Sequence, residues 1–279
     1  MPTTSPLHTS LRALLLTAVD AAIRAGEAIM EVYTSPTANW EVERKADNSP
    51  LTLADRRSHA VIAPALEPTG ISVLSEEGAQ LPFEARSEWR ELWIVDPLDG
   101  TKEFLKRNGE FTVNIALVRD GRPEVGVIFV PVSRVLYVGS PEGAYRADVA
   151  AGVYDLDALS LQPIHSGEAQ PFTVVASRSH LSPETQEYID ALRPAHPDLT
   201  MVSAGSSLKL CLVAEGKADV YPRFAPTMEW DTAAGHAICR AAGCEVYRVE
   251  SNEGAAPTIT AEPLAYNKKN LLNPWFIVK

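Results

Sequence analysis

The stretch Asp96-Pro97-Leu98-Asp99-Gly100-Thr101 follows the apolar run at residues 92–95. This pattern predicts a strand that delivers two carboxylates, three residues apart, into a turn that the proline stiffens and the glycine permits. Thr101 can then begin a short helix, whose free N–H groups favour an anion. Because carboxylates alone repel a phosphate, we expect the two aspartates to bind hard divalent cations that the phosphate bridges. The stretch is therefore a candidate phosphatase centre.

Three other interpretations of these six residues are conceivable, and the spacing of the residues excludes two of them. A plain Pro-Asp turn before a Thr-capped helix stays open on this stretch alone, because turns rich in Asp, Gly and Pro are common. An EF-hand loop from Asp96 would need an oxygen ligand where the chain has Leu98, and a glycine where it has Thr101. A P-loop needs Gly-Lys followed by Ser or Thr, which the sequence lacks.

Length and charge limit the class of protein. With 279 residues and a 46% hydrophobic composition, we expect one compact unit of two lobes. The predicted boundaries are 1–155 for an N-terminal metal-binding α+β lobe and 156–279 for a C-terminal α/β substrate lobe. The formal net charge of −11 argues against a nucleic-acid polymer or an anionic membrane as partner. We expect a small-molecule substrate, and monomer and homodimer both stay open.

The cysteines and the N-terminal segment indicate a compartment. The chain has three cysteines, an odd number in apolar surroundings, which favours free core thiols over disulfides or a zinc site. The apolar run at residues 11–22 is short and predicts an amphipathic helix, neither a signal peptide nor a membrane span. We expect a cytoplasmic protein, and peripheral attachment to the cytoplasmic side of the inner membrane stays open.

Further acids follow at intervals along the chain, and each alone has a purely structural explanation. Asp47 precedes a Ser-Pro turn and alone reads as a solvated loop acid, while Thr52 and Asp55 fit a capped helix start. Glu76 and Glu77 follow a short strand at residues 71–74, where the sites of α/β proteins usually lie, so one of the pair could be a metal ligand that the other orients, although an exposed acidic turn is also plausible. Asp231 lies near the start of a small-residue helix, whose dipole accounts for it without a metal.

The remaining pattern predicts sheets and two junctions suited to anions. Alternating and β-branched runs at 111–118, 126–130 and 135–138 favour an antiparallel or mixed sheet, and 154–170 is predicted to be a linker. In the second lobe, strand-loop-helix junctions occur at residues 177–180 and 205–209, with hydroxyl and basic side chains that resemble anion cradles. Each junction is weak evidence alone, since Ser-rich caps are common.

Three motifs, taken in order, resemble those of the inositol monophosphatase superfamily of metal-dependent, lithium-sensitive phosphatases. They are Ser75-Glu76-Glu77, Asp96-Pro97-Leu98-Asp99-Gly100-Thr101 and Trp230-Asp231-Thr232-Ala233-Ala234-Gly235. Three ordered motifs are far more specific than one, and they outweigh the separate structural explanations. The resemblance implies an α/β (α+β) fold, layered as the α/β/α/β/α sandwich of inositol monophosphatases and fructose-1,6-bisphosphatases.

Within that superfamily, residues 45–55 and 99–114 are similar to the bacterial 3'(2'),5'-bisphosphate nucleotidases. The acid that inositol phosphatases carry three residues before Thr52 is replaced by Ser49, and Asp47 matches the nucleotidase pattern instead. The resemblance implies two or three Mg²⁺ ions, with ligands from Glu76, Asp96, Asp99, Asp231 and the Leu98 carbonyl. It also implies that Asp47 and Thr101 polarise the attacking water, so the candidate catalytic residues are Asp47, Thr101 and Glu76.

The candidate substrate-binding residues come from both lobes. They are Gly100, Thr101, Ser177, Arg178, Ser206, Lys209, Arg223 and Asp231. A bisphosphate carries charge beyond its metal-bound group, and an acidic protein needs basic partners for that charge. Lys209, Arg178 and Arg223 are the predicted partners.

The resemblance implies a Mg²⁺-dependent, lithium-sensitive phosphatase that converts adenosine 3',5'-bisphosphate to AMP and phosphate, in sulfate assimilation. One alternative is the same chemistry on an inositol phosphate, a fructose phosphate or another small phosphate ester. The alternative from another class is a catalytically silent member that binds the nucleotide as a sensor. Phosphate release from a panel of these esters discriminates among the three.

Overall fold

The computed structural model describes residues 6–35, 43–44, 50–79, 81–169, 171–177, 182–250 and 257–279. The helices of these residues are α1 (Pro6–Thr34), α2 (Leu53–Leu66), α3 (Phe83–Arg86), α4 (Thr101–Lys106), α5 (Pro183–Leu192), α6 (Leu208–Ala214) and α7 (Glu229–Ala242). The strands are β1 (Glu43–Arg44), β2 (Pro50–Leu51), β3 (Ser72–Ser75), β4 (Glu91–Asp99), β5 (Thr112–Arg119), β6 (Arg122–Val130), β7 (Val135–Ser140), β8 (Gly143–Asp148), β9 (Gln162–Pro163), β10 (Thr173–Ser177), β11 (Thr200–Ala204), β12 (Tyr221–Arg223), β13 (Val246–Glu250), β14 (Thr258–Pro263) and β15 (Trp275–Val278).

Two larger sheets carry the architecture. The first has the order β3-β4-β5-β6-β7-β8-β9, with β3 parallel to β4 and the other neighbours antiparallel, which confirms the predicted mixed sheet. The second has the order β12-β15-β13-β14 and is antiparallel. The parallel pair β10-β11 lies beside β12, because Val174 forms a bridge with Val220.

Apolar cores fill the spaces between the layers. α1 and α2 pack on one face of the seven-stranded sheet, where Trp93 of β4 is fully buried. α6 and α7 lie between the two sheets, against Leu92 and Ile94 on the opposite face of β4. α5 covers the outer face of the second sheet through Ile189. The layers therefore follow the predicted order α/β/α/β/α, and the continuous apolar run in β4 reflects burial on both faces.

Helix α7 lies unusually close to the seven-stranded sheet. A Cβ atom added to Gly126 of β6 would lie 2.1 Å from the Ala234 carbonyl oxygen, and one added to Gly139 of β7 would lie 2.5 Å from the Ile238 Cα. Glycine alone permits this approach, since any larger side chain would push the helix outward. The position of α7, and of the acid near its start, is thus fixed against the sheet.

The helices near the motifs begin where the sequence predicts, whereas the segment predicted to be a linker contains regular structure. Thr52 caps α2 and the short helix begins at Thr101, as predicted. The predicted linker at 154–170 contains a short 3₁₀ helix and the edge strand β9, because part of this segment pairs with β8. The division of the chain at residue 155 stays a prediction. All three cysteines are buried, as predicted.

Candidate metal centre and substrate cavity

A bulge at the end of β4 sets the geometry of the central motif. Asp96 pairs with Asn114 of β5 and Asp99 pairs with Thr112, so a step of three residues on β4 lies opposite a step of two on β5. The Leu98 N–H donates to Asp96 Oδ1 (3.1 Å) inside the bulge. The strand therefore continues past the turn predicted after residue 95, and the bulge re-aims the second carboxylate.

Three acids from two distant elements meet at this bulge. Carboxylate oxygens of Asp96, Asp99 and Asp231 all lie within 4.8 Å of one another. Asp231 is the third residue of α7, and its Oδ2 accepts a hydrogen bond from the Met228 N–H (2.9 Å). The structure thus brings together two of the motifs that the sequence separates by 128 residues.

The electrostatics of this acidic cluster, Asp96, Asp99 and Asp231, favour a bound cation. Burial raises the pKa of Asp96 well above its usual value, and Glu76 and Asp99 raise it further. Burial raises the pKa of Asp99 to about 6, although Lys209 opposes that shift. Burial, followed by the charge of Asp99, raises the pKa of Asp231 to about 8. Hard carboxylate oxygens at this spacing fit Mg²⁺ or a similar ion, which would relieve their mutual repulsion.

The other two predicted ligands lie next to this cluster. Glu76 directly follows β3, where its N–H donates to the Val95 carbonyl (3.1 Å), and its charge contributes to the raised pKa of Asp96. Leu98 lies within the bulge and is 1% exposed. Ligand roles for the Glu76 carboxylate and the Leu98 carbonyl stay predictions.

Thr101 contacts an aspartate that the sequence analysis treated only as a cap. Its Oγ1 donates to Asp55 Oδ1 (3.3 Å), while Asp55 Oδ2 accepts from the Thr52 N–H (2.7 Å) and hydroxyl (2.5 Å). Asp55 thus completes the predicted capping box and also holds the candidate catalytic hydroxyl. In the sequence, the position of Asp55 three residues after a capping threonine already accounts for an aspartate there. The contact with Thr101 was therefore not predicted. Asp47, the predicted partner of Thr101, lies outside the described residues.

Asn114 is a second site residue that the sequence analysis missed. Its Nδ2 donates to Asp99 Oδ2 (3.3 Å), and its Oδ1 accepts from the Ser207 hydroxyl (2.8 Å). Asn114 is 1% exposed, and the residues on either side of it in β5 are also buried. The signal was present in the sequence, because a lone amide within an otherwise apolar strand needs buried partners.

A cavity of about 330 Å³ opens beside the acidic cluster. Seven predicted site residues line it, namely Asp99, Gly100, Thr101, Ser206, Lys209, Arg223 and Asp231. Among the residues not predicted for the site, Tyr221, Thr227 and Thr232 also line it. Ser177 ends β10 and Arg178 lies outside the described residues, and their substrate-binding roles stay predictions. Residues from both halves of the chain therefore line one cavity.

The cavity lining also includes two basic side chains, Lys209 and Arg223. Lys209 is 6% exposed, and its Nζ donates to the carbonyl oxygens of Ala204 (3.3 Å) and Ser206 (2.5 Å). Burial lowers the pKa of Lys209 to about 8, although Asp99 opposes the shift. Ser206 Oγ and Arg223 Nε are buried without a hydrogen-bond partner in the part of the chain that the structure describes. These two lining groups could satisfy their hydrogen-bonding capacity with a ligand.

The layered fold and the buried carboxylates define an α/β protein with a cleft suited to divalent cations and an anionic ligand. The chain belongs to the inositol monophosphatase family, whose sequence profile matches residues 10–274. This family is metal-dependent, and the acidic cluster could bind a metal ion.

Relatives and solved structures agree with this membership. The protein named 3'(2'),5'-bisphosphate nucleotidase CysQ from Shigella flexneri is 46% identical over 257 residues, covering 91% of this chain and 94% of that protein. The crystal structure of CysQ from Bacteroides thetaiotaomicron superposes with a TM-score of 0.82 at 52% identity, covering 95% of this chain and 96% of the other. An inositol monophosphatase from Anabaena, at 24% identity and a TM-score of 0.65, shares the fold over 89% of this chain and 90% of its own.

Proposed function

We propose that this protein is a Mg²⁺-dependent 3'(2'),5'-bisphosphate nucleotidase that removes the 3'-phosphate of adenosine 3',5'-bisphosphate and releases AMP and phosphate. The name of the relatives at 45–46% identity supports the reaction. The setting in sulfur metabolism is proposed on the family resemblance. The observation that carries the proposal is the cavity lining, which combines two acids of the cluster, Asp99 and Asp231, with the basic side chains of Lys209 and Arg223. A substrate with two phosphates could use both the cation-binding acids and the basic side chains.

The oxygen donors at and next to the acidic cluster fit magnesium. Its proposed ligands are the carboxylates of Glu76, Asp96, Asp99 and Asp231 and the carbonyl of Leu98. When bound, two or three Mg²⁺ ions would neutralise the phosphate, lower the pKa of a water molecule and stabilise the leaving oxygen. The chain's part is to hold these oxygens in place, and the hydrogen bonds to Asp99 and Asp231 from Asn114 and Met228 support that role.

Thr101 and Asp55 are suited to orient the attacking water. Because the Thr101 hydroxyl donates its proton to Asp55, its oxygen lone pairs stay available to accept a hydrogen bond from water. A water held in this way turns its own lone pair toward the phosphorus atom. Asp47 is proposed as a further partner of this water, on the family resemblance.

Lys209, Arg223 and Ser206 are the proposed ligands of the second phosphate. Lys209 brings a buried ammonium group, and the other two bring buried donors without partners among the described residues. A charged hydrogen bond to phosphate is among the strong polar contacts in proteins. This subsite would favour a bisphosphate over a monophosphate ester.

The proposed setting is the cytoplasm, and the three cysteines are free and buried. Within the described residues, no helix is both long enough and apolar enough to cross a membrane.

A substrate panel tests the proposal. Phosphate release is measured from adenosine 3',5'-bisphosphate, inositol monophosphate and fructose 1,6-bisphosphate at equal concentrations, with Mg²⁺ and with excess chelator. We expect the highest kcat/KM on the adenosine bisphosphate and no turnover in chelator. A preference for inositol or fructose phosphate would replace the proposed substrate, and nucleotide binding without turnover of any ester would make the protein a sensor.

A further inference from the structure

The first turn of α7 is held by a segment that the mechanism above does not use. Glu229, two residues before Asp231, has no exposed surface. Its carboxylate accepts hydrogen bonds from the Asn267 N–H (2.6 Å), the Lys268 N–H (2.9 Å) and the Lys268 ammonium group (2.7 Å). A buried carboxylate with this many donors is strongly fixed, because leaving any donor unpaired is costly.

Asn273, at the other end of this segment, is 5% exposed and contacts the same turn. Its side-chain NH₂ lies within hydrogen-bond distance of the Met228 carbonyl (2.7 Å), Thr232 Oγ1 (3.0 Å) and Thr227 Oγ1 (3.2 Å). Its Oδ1 accepts from the Lys268 ammonium group (3.3 Å). Two of the residues it holds, Thr227 and Thr232, line the substrate cavity.

The backbone links Asn273 to Asp231 through a single peptide group. The Asn273 N–H donates to the Thr227 carbonyl (2.8 Å), and the N–H of the same peptide, at Met228, donates to Asp231 Oδ2 (2.9 Å). The next peptide is held as well, because its carbonyl accepts from the Asn273 side chain and its Glu229 N–H donates to the Leu271 carbonyl (3.0 Å). Residues 267–273 thus fix both peptide groups that flank Met228.

The same segment is anchored to the other lobe. Arg86 of α3 is 2% exposed and donates to Asn267 Oδ1 (2.7 Å), while Asn267 Nδ2 donates back to the Arg86 carbonyl (2.9 Å). The segment therefore ties the start of α7 to α3, and the position of Asp231 does not depend on its own helix alone.

We propose that Asn273, supported by the Glu229–Lys268 ion pair, is a positioning residue that holds Asp231 in the orientation needed to bind a divalent cation. Metal ligands must be held to about 0.5 Å, and the groups that orient them contribute to affinity. The inference rests on the proposed function only in taking Asp231 as a metal ligand. The inference adds that the metal affinity depends on Lys268 and Asn273, which lie about 40 positions after Asp231 and beyond all three motifs.

Direct metal binding tests this proposal. The Mg²⁺ dissociation constant is measured by calorimetry without substrate for the wild-type protein, Asn273→Leu and Lys268→Met, and the melting temperature of each metal-free protein is recorded alongside. Lys269→Met and Asn270→Ser are the matched controls, since both side chains are exposed on the same segment. Within the part of the chain that the structure describes, the Asn270 side chain hydrogen bonds only with the Leu272 N–H, from which a serine hydroxyl can also accept. We expect the dissociation constant to rise about 10-fold or more for Asn273→Leu, and less for Lys268→Met, since orienting groups typically contribute about 10- to 100-fold.

The two readouts separate positioning from stability. A lower melting temperature with an unchanged dissociation constant in both variants would overturn the proposal, because the segment would then be only structural. Equal losses of affinity in the exposed controls would overturn it as well. Should Asn273→Leu fail to fold, Lys268→Met decides, since its side chain is partly exposed. Because no substrate is present, a failed substrate panel would refute the nucleotidase proposal without affecting this result.

Discussion

The ionisation of Asp231 in the metal-free protein can be measured. Burial raises its pKa to about 8, so the folded state binds more protons than the unfolded state, in which an aspartate has a pKa of about 3.9. The free energy of unfolding should then fall as the pH rises from about 4 to about 8. We expect the metal-free protein to melt at a lower temperature at pH 8 than at pH 6, with a smaller difference in Asp231→Asn. Equal pH dependence in the two proteins would contradict the pKa shift.

Thr101 gives a prediction about catalysis. Thr101→Val keeps the shape of the side chain but removes the hydroxyl that Asp55 orients. Loss of a positioned proton-transfer group typically lowers the rate by about 10² to 10⁴, and we expect kcat to fall within that range at saturating Mg²⁺. Thr101→Ser, which keeps the hydroxyl, should stay close to the wild-type rate. Steady-state kinetics of both variants make the test, and a fully active Thr101→Val would remove the hydroxyl from the mechanism.

Lys209 gives a prediction about specificity. Lys209→Met keeps the aliphatic stem and removes the buried charge that faces the cavity. A charged hydrogen bond contributes about 1.5–3 kcal/mol, so we expect KM for the adenosine bisphosphate to rise about 10- to 100-fold. The KM of a simple monophosphate ester should change much less. Equal losses on both substrates would mean that Lys209 acts by stabilising the negative charge of Asp99, and not by binding the second phosphate.

Single residues also show where sequence reasoning stops. Asp96, Asp99 and Asp231 were predicted from spacing and family resemblance, and the structure brings their oxygens together. Asp55 and Asn114 were missed because each already had a local explanation, as a helix cap and as a strand residue. A second contact across the fold depends on tertiary packing, which one sequence does not display.

Among the elements, α7 is the one whose packing most directly affects the site. Gly139→Ala would place a methyl group about 2.5 Å from Ile238 Cα, so the helix must move away from β7. Overpacking of this kind typically costs about 1–3 kcal/mol of stability. We expect a lower melting temperature together with weaker Mg²⁺ binding, because α7 carries Asp231. Gly167→Ala is the control, since an added Cβ there meets no atom within 4 Å.

That result would be contradicted if Gly139→Ala matched the control in both melting temperature and metal affinity. Loss of stability with unchanged metal affinity would show that the start of α7 is held independently of its packing on β7. The contacts from residues 267–273 would then be sufficient to place Asp231.

The elements also differ in how far they could be predicted. β4 and α7 were identifiable because an apolar run or a small-residue helix adjoins a motif. Strands β13, β14 and β15 were missed, since β14 alternates little between buried and exposed positions and its edge residues are polar. Their pairing depends on the four-stranded sheet as a whole.

At the scale of the whole molecule, the layers explain why the site draws on distant parts of the chain. The seven-stranded sheet supplies Asp96 and Asp99 through β4, and the helical layer between the sheets supplies Asp231 and Lys209. The layer order was predicted only through the family resemblance, because periodicity does not report which faces meet. The described cavity follows from that order, because residues of the first sheet and of the helical layer line it together.

The central claim is that the acidic cluster binds Mg²⁺ and that phosphate release depends on it. Its most direct test is a magnesium titration of 3'-phosphate release from adenosine 3',5'-bisphosphate, for the wild-type protein and Asp99→Asn. We expect no turnover in excess chelator and saturable activation by Mg²⁺. Asp99→Asn should need a far higher Mg²⁺ concentration, because an amide oxygen is a weaker ligand than a carboxylate for a hard cation. Undiminished turnover in excess chelator would contradict the account.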